Sequence, residues 1–247
     1  MKYDGRIDLL LSSEVQRIQS HILDTVLQLA ENEGCSLSAF TISEDSKIAS
    51  ITKIKVRQRL KDDLRPFLTP IGLGSGALSA EAGLLVAFDD AKANAETVVG
   101  FIDFRPRPNT ETTAYIGAIV VSPAHRGKGV MKAMLAILED RYPELALDCS
   151  LNMVAIYEHL GFFPIEPLGA HVVMSNGVAA GKPWKPETPT TPDEEKQIFT
   201  AFQHRLVQQI GKDEYDKAVA ELTARVKDQE REVVDFFAKL FTTIERV

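Results

Sequence analysis

The sequence predicts an α/β (α+β) protein in which helices flank a sheet, with extra helices at the N and C termini. Seven short apolar runs with β-branched or aromatic content are predicted strands, at 37–43, 84–88, 98–104, 113–121, 145–149, 163–165 and 171–174. Between the 113–121 and 145–149 runs the period changes, and Val130, Met134 and Leu138 recur at helical spacing. Strands interrupted by a helix in this order indicate one mixed domain.

The N-terminal third is predicted to be largely helical. Residues 7–33 are expected to form an amphipathic helix, because one stripe follows alternating four- and three-residue steps: Leu11, Val15, Ile18, Ile22, Thr25 and Leu29. Gly34 is the expected end of this helix, since glycine tolerates the left-handed conformation there. A second helical region is expected at 45–67. The stretch 69–80, with one proline and three glycines, is expected to be a loop.

The C-terminal region is predicted to be a linker followed by two helices. Four prolines recur at every third residue between 183 and 192, which matches the turn of an extended polyproline II segment. Thr191 caps the first helix and Gly211 ends it. The final helix carries a long 4-3 pattern: Tyr215, Val219, Leu222, Val226, Gln229, Val233, Phe236 and Leu240. This seam indicates a coiled coil or helical hairpin, and we expect a homodimer; packing of the seam within the chain is the alternative.

These patterns divide the chain into four parts. They are an N-terminal helix at 1–34, a central α/β domain at 35–177, a proline-rich linker at 178–192 and a helical extension at 193–247.

Charge and cysteine usage narrow the partners and the compartment. The 247-residue chain has a net charge of −7, which on average repels phosphates and disfavours a nucleic-acid partner. Cys35 and Cys149 are too few for a disulfide framework and lack metal-ligand spacing, so reduced thiols in the cytoplasm are expected. No run approaches the roughly 18 apolar residues of a membrane span, so no membrane partner is expected.

The segment 119–134 holds the pattern most informative about function. A strand ends there, a short loop with Gly127 and Gly129 follows, and a helix begins. Glycines without side chains let backbone N–H groups approach an anion, and the helix presents its positive dipole end at the same place. Arg126 and Lys128 add positive charge. The segment therefore predicts a cradle for a pyrophosphate, whereas a plain glycine turn is the alternative.

Two other nucleotide-binding patterns do not fit this loop. A P-loop needs four residues between its glycines and then Lys-Ser or Lys-Thr. A dinucleotide-binding fingerprint needs a third glycine where this chain has Lys132.

Two segments resemble motifs of the GNAT N-acetyltransferase superfamily. Residues 126–131 are similar to its acetyl-CoA signature, Arg/Gln-x-x-Gly-x-Gly/Ala, except that Met131 replaces a small residue. Residues 157–162, Tyr-Glu-His-Leu-Gly-Phe, resemble the family's Tyr-Glu-x-Leu-Gly-Phe helix end. The resemblance implies the GNAT acyl-CoA-binding fold, with a mixed, mostly antiparallel sheet, and acetyl-CoA as the acetyl donor.

The resemblance also implies roles for individual residues. Tyr157 takes the role of the family tyrosine that protonates the departing thiolate. Asn152 takes that of an asparagine contacting the pantetheine arm, although it lies two residues closer to Tyr157 than the family pattern has it. The donor-binding residues are then Ile119, Val120, Val121, Arg126, Gly127, Lys128, Gly129, Val130, Met131 and Asn152.

The expected activity is acetyl transfer to a primary amine by direct attack, with a small-molecule or peptide acceptor. The alternative is a non-catalytic acyl-CoA-binding or scaffold protein that assembles through its terminal helices. The strand 113–121 contains no carboxylate for a general base. Asp103, Glu111 and Tyr115 are the nearest candidates, and for Asp103 a solvent contact at a strand end is the favoured interpretation.

Overall fold

A computed structural model describes residues 3–14, 18–38, 42–67, 82–89, 97–107, 110–177 and 192–244. The chain divides into two compact units. One comprises Met1–Asn32, Arg57–Leu147 and Gly177–Pro189, and the other comprises Glu33–Val56, Asp148–Asn176 and Thr190–Val247. The predicted loop at 69–80 and the predicted linker up to residue 191 lie outside the described residues.

Seven strands and seven α-helices are described. The strands are β1 (Ile7–Leu11), β2 (Gly83–Asp89), β3 (Thr97–Pro106), β4 (Thr113–Val121), β5 (Glu144–Ser150), β6 (Phe163–Leu168) and β7 (His171–Ser175). The helices are α1 (Ser20–Asn32), α2 (Gly34–Leu37), α3 (Ala49–Asp63), α4 (Val130–Arg141), α5 (Val154–Glu158), α6 (Pro192–Ile210) and α7 (Lys212–Ile244). Six of the seven predicted strands are confirmed.

The first unit is built on a sheet in the order β1-β2-β3-β4-β5. The first three pairings are antiparallel, and β4 pairs with β5 in parallel from Thr113–Glu144 to Ile116–Leu147. Helix α4 packs on β2, β3 and β4 and buries Met134 and Leu138. A parallel pair needs a crossover connection, and α4 supplies it between β4 and β5. The mixed, mostly antiparallel sheet is as predicted.

The second unit contains the β6–β7 hairpin and the C-terminal helices. Strands β6 and β7 pair antiparallel, and the second half of β5 belongs to this unit. Helices α6 and α7 pack together around Leu206, Tyr215 and Ala218, and Ile48 and Ile51 of the α3 region complete this cluster. Gly211, with φ +85°, separates α6 from α7, as predicted.

The predicted seam of α7 is its more buried stripe. Tyr215 and Val233 are buried, and Leu222, Val226 and Gln229 are half-buried, whereas Val219 is exposed. Helix α7 runs for 33 residues and contacts β6 and β7 besides α6. Much of the seam is therefore covered within the second unit.

Two predictions of secondary structure are wrong. Residues 7–11 form strand β1, paired antiparallel with β2, rather than the start of a helix. The pattern there suits both periods, and pairing with the buried β2 decides between them. The described part of the predicted strand 37–43 contains no strand: Leu37 ends α2, and the Ile42 N–H bonds to the Cys35 carbonyl. Cys35, Ile42 and Ala49 belong to one buried cluster.

Gly34 begins α2 instead of capping α1, which ends at Asn32. A Cβ at Gly34 would lie 2.6 Å from the Cα of Lys53, so the glycine permits a close helix approach. Among the described residues, no helix is long and apolar enough to cross a membrane.

Candidate active site

The loop after β4 has the geometry that its glycines predict. Val121 ends the strand, a 3-10 turn follows at Pro123–His125, and α4 begins at Val130. Gly127 and Gly129 have φ of +73° and +82°, in the left-handed region that favours glycine. Both backbone reversals lie directly before the N-terminus of a 12-residue helix. The unbonded N–H groups of that first turn are therefore presented at the loop.

The space over this loop suits an anionic group. A Cβ at Gly127 would meet no described atom within 4 Å, so the backbone there is open to an approaching ligand. Arg126 donates from Nε to the Val121 carbonyl at 3.1 Å, which holds its guanidinium at the end of β4. Lys128 is exposed on the same loop. Positive charge, open backbone and a helix N-terminus together fit a pyrophosphate.

A side-chain relay anchors the loop. The Ser122 hydroxyl lies 2.8 Å from His125 Nδ1, and His125 Nε2 lies 3.2 Å from an Asp89 oxygen at the end of β2. A neutral ring that donates from Nε2 and accepts at Nδ1 satisfies both contacts. The relay has no sequence signature, because Asp89 is 36 residues away and only the Ser-x-x-His spacing is local.

Strand β4 carries a bulge next to the predicted donor-binding residues. Asp103 of β3 pairs with Ala118 and Phe104 pairs with Ile116, so Gly117 is the extra residue. Gly117 is exposed. The residue before it, Ile116, makes the last ladder pair between β4 and the parallel strand β5. Ile119, Val120 and Val121 follow the bulge and pair with β3. No β5-side ladder pair beyond Ile116 occurs among the described residues, which leaves backbone groups for an extended ligand.

The prediction that Asp103 makes a solvent contact at a strand end is wrong. Its side chain is buried, and Arg105 Nη1 donates to it at 2.9 Å. Arg105 Nη2 lies 3.5 Å from Asp63 at the end of α3. Two carboxylates thus share one buried guanidinium, because a buried charge requires a partner. No local signal could have revealed this cluster, whose members come from two distant elements.

The cluster changes the acidity of Asp63. Burial, and next the negative charge of Asp103, raise the pKa of the Asp63 carboxyl from 3.8 to about 6. A carboxyl that binds its proton more tightly when folded stabilises the fold at low pH. That contribution is present below 3.8 and is lost as the pH rises through about 6.

We therefore expect Asp63→Asn to flatten the pH dependence of stability. Wild type should gain on the order of 3 kcal/mol in unfolding free energy from this carboxyl as the pH falls through the window. The variant should lack that gain in urea titrations at a series of pH values. Asp216→Asn, at an exposed position of α7, is the control and should retain it. An unchanged gain in Asp63→Asn would contradict the assignment.

Tyr157 lies on α5 in the second unit. Its ring is buried and meets Phe162 edge to face, with centroids 5.9 Å apart. Gly161, with φ +89°, makes the turn that returns Phe162 to this ring, as the Tyr-to-Phe motif predicts. Burial, then the nearby Cys149 and Asp148, raise the pKa of the phenol. The hydroxyl therefore stays protonated through the neutral and mildly alkaline range.

The remaining predicted site residues take less distinctive positions. Asn152 is exposed in a 3-10 turn and accepts a hydrogen bond from the Ser150 hydroxyl at 2.5 Å. Met131 is half-buried in the first turn of α4. Cys149 is buried beside the Met174 sulfur, and burial raises the pKa of its thiol to about 12, which suits an inert core cysteine.

Comparison with known proteins agrees with the motifs. Residues 48–162 match the acetyltransferase (GNAT) family model. Solved structures similar to this chain include Escherichia coli ElaA, at 16% identity and TM-score 0.41, covering 70% of this chain and 100% of that chain. An acyl-CoA N-acyltransferase from Pseudomonas aeruginosa is similar at 17% identity and TM-score 0.44, covering 70% of this chain and 100% of that chain. An aminoglycoside 6'-N-acetyltransferase complexed with coenzyme A is similar at 13% identity and TM-score 0.42, covering 69% of this chain and 95% of that chain. No curated protein sequence matches the chain.

Proposed function

We propose, from the match of residues 48–162 to the acetyltransferase (GNAT) family model, that the protein transfers an acetyl group from acetyl-CoA to a primary amine. The observation that carries this proposal is the loop after β4. Its two left-handed glycines and open backbone at the start of α4 fit a pyrophosphate. Bound acetyl-CoA supplies the activated thioester carbonyl.

In this proposal the chain binds and orients the donor along β4 and its loop. Residues 126–131 hold the pyrophosphate through backbone N–H groups, helped by the charges of Arg126 and Lys128. The backbone of Ile119–Val121 pairs with the pantetheine arm, and Asn152 contacts the arm by its family resemblance. Binding of this kind orients the thioester for direct attack without a covalent enzyme intermediate.

Tyr157 acts on the leaving group. Its buried phenol stays protonated, so it can donate a hydrogen bond to the sulfur as negative charge develops there. By the family resemblance, it then protonates the departing thiolate. The carboxyl of Asp103 is already bonded to Arg105 and is not proposed as the base.

The test is release of free CoA from acetyl-CoA in the presence of amines, with donor binding measured in parallel by thermal shift. Spermidine, kanamycin and a tripeptide with a free N-terminus cover three acceptor classes. Amine-dependent release together with donor-induced stabilisation supports the proposal. Stabilisation without release from any amine would instead favour an acyl-CoA-binding scaffold. Absence of stabilisation would refute the donor site.

We also propose that the chain is divided as predicted, into 1–34, 35–177, the 178–192 linker and the extension at 193–247. In this proposal the extension mediates a homodimer. Val234 and Phe241 are 58% and 55% exposed, and they lie seven residues apart on one stripe of α7. A coiled-coil pairing of two copies would cover this apolar stripe.

We expect the double variant Val234→Glu, Phe241→Glu to be monomeric by light scattering while wild type is dimeric. Two carboxylates on each stripe would oppose one another and remain solvated only in the monomer. Ala224→Glu, exposed and about a quarter turn away around the helix, is the control and should stay dimeric. A monomeric wild type would contradict the dimer, and a dimeric double variant would exclude this stripe as its interface.

We propose the cytoplasm as the compartment. Cys35 and Cys149 are both free and buried, which suits a reducing environment.

A further inference from the structure

A histidine and an aspartate form a pair in the second unit that the roles above do not use. His171 begins β7, and its Nδ1 lies 2.5 Å from Oδ2 of Asp148 on β5. The two side chains are 15% and 20% exposed, so each is partly open to solvent. The 23-residue separation left no pattern for sequence analysis to detect.

The hydrogen bond to Asp148 fixes the tautomer of the neutral His171 ring. A carboxylate only accepts hydrogen bonds, so Nδ1 of His171 carries the donated hydrogen. In the neutral ring, Nε2 is then the proton acceptor, and no described residue bonds to it. Asp148 also stabilises the positive charge that the ring would gain on taking a proton, which is the arrangement a general base requires.

The pair lies close to the phenol assigned to the leaving group. Strand β5 leads through the turn at Leu151–Met153 directly into α5, which carries Tyr157 and packs against β6 and β7. The negative charge of Asp148 is among the influences that raise the pKa of Tyr157, so carboxylate and phenol interact electrostatically within this unit. The acid and the base thus lie in the same unit, on elements that pack together.

Other groups of this unit fit the role of base less well. Cys149 is a buried thiol whose pKa is raised to about 12. His159 is exposed on the α5 side, and its Nδ1 contacts the Ala155 carbonyl at 2.6 Å without a carboxylate partner. His171 alone among the described histidines of the second unit has a carboxylate at its ring and Nε2 unbonded.

We infer that His171, positioned by Asp148, is the base that accepts the proton of the acceptor amine in the acetyl transfer proposed above. The amine nitrogen forms a bond to the carbonyl carbon and the carbon–sulfur bond breaks. The extra proton on nitrogen passes to His171 Nε2, and Tyr157 supplies a proton to the sulfur. Solvent then removes the proton from His171 and restores that of Tyr157, so no other reactant is needed. This inference rests on the proposed function.

The first test needs no acceptor. Nitrogen NMR of ¹⁵N-histidine-labelled full-length protein at alkaline pH distinguishes the two neutral tautomers of each ring. We expect His171 to carry its hydrogen on Nδ1, and Asp148→Asn to shift it toward the Nε2–H form. An Nε2–H tautomer in wild type would overturn the inference, whatever the activity of the protein.

The second test is kinetic and uses the amine among spermidine, kanamycin and the tripeptide that wild type acetylates fastest. His171→Asn keeps an N–H toward Asp148 and removes Nε2, so kcat should fall at least tenfold with the Kd of acetyl-CoA unchanged. In His171→Ala, added imidazole should restore part of the lost rate, which a merely structural role would not allow. His159→Asn is the matched control and should retain wild-type turnover.

The outcomes separate this inference from the function it rests on. Normal turnover in His171→Asn leaves the acetyltransferase proposal standing and removes His171 from it. Failure of wild type to bind acetyl-CoA or to acetylate any of the three amines refutes the proposed function, and the base assignment with it. A His171→Ala variant that folds but gains nothing from imidazole would reduce His171 to a structural contact.

Discussion

Replacing Gly127 with valine is expected to weaken acetyl-CoA binding about 100-fold, or roughly 2.7 kcal/mol. The glycine has φ +73°, and a side chain there would meet no described protein atom within 4 Å. A valine would therefore occupy the space through which the loop N–H groups reach the pyrophosphate, rather than clash with the protein. Isothermal titration with acetyl-CoA measures the effect, and a bulky residue at Gly129, with φ +82°, should act alike.

The strain of a left-handed valine must be separated from the loss of a ligand contact. Gly211 is a matched control, because its φ is +85° and a Cβ there would also meet nothing within 4 Å. Gly211→Val, between α6 and α7, should be destabilised by a similar amount yet bind acetyl-CoA normally. If Gly127→Val binds acetyl-CoA as wild type does, the loop is not the pyrophosphate cradle. If both variants bind acetyl-CoA equally weakly, the substitution acts through the stability of the fold and not through a lost ligand contact.

Replacing Tyr157 with phenylalanine is expected to lower kcat about 100-fold, with little change in the Kd of acetyl-CoA. The phenol is buried and protonated, and its hydrogen bond becomes valuable only when charge develops on the sulfur. Removing it therefore leaves ground-state binding intact and weakens the transition state. Steady-state kinetics and titration on the same preparations measure the two quantities.

The control for this substitution is Tyr215→Phe. Tyr215 is buried to the same extent as Tyr157, in the α6–α7 cluster of the same unit. Loss of a hydroxyl there should leave kcat unchanged. Equal turnover of Tyr157→Phe and wild type across the pH range would exclude the phenol from the reaction. A matching loss in Tyr215→Phe would point to a general effect on the unit.

The positions of the strands and of the α4 loop could be predicted because their signals are local. Alternation, helical spacing and glycines in left-handed turns are properties of neighbouring residues, so β2, β3, β4 and α4 lie where the pattern places them. The same holds for Gly161 and Gly211, whose positive φ ends a helix in each case. The motifs around Arg126 and Tyr157 are local in the same sense.

The secondary structure of the short apolar runs at 7–11 and 37–43 was predicted wrongly, because such runs suit both a helix and a strand. Residues 7–11 belong to a stripe with helical spacing, yet they form β1 because β2 offers a paired, buried edge. Leu37 and Ile42 looked extended, but Leu37 ends α2 and Ile42 is buried in a cluster with Cys35 and Ala49. The partner that decides such a segment is distant in sequence.

The sequence by itself predicted the family resemblance, the glycine loop before α4 and the helix end that carries Tyr157, since each depends on residues within a few positions of one another. Only the tertiary structure decided the surroundings of the carboxylates within each unit. Arg105 pairs with the nearby Asp103 and also with Asp63, which lies 42 residues earlier in the chain, and Asp148 meets His171 across 23 residues. Whether a carboxylate is solvated, neutralised by a guanidinium or bonded to an imidazole depends on which elements pack together. That packing follows from the burial of whole strands and helices, which no local pattern contains.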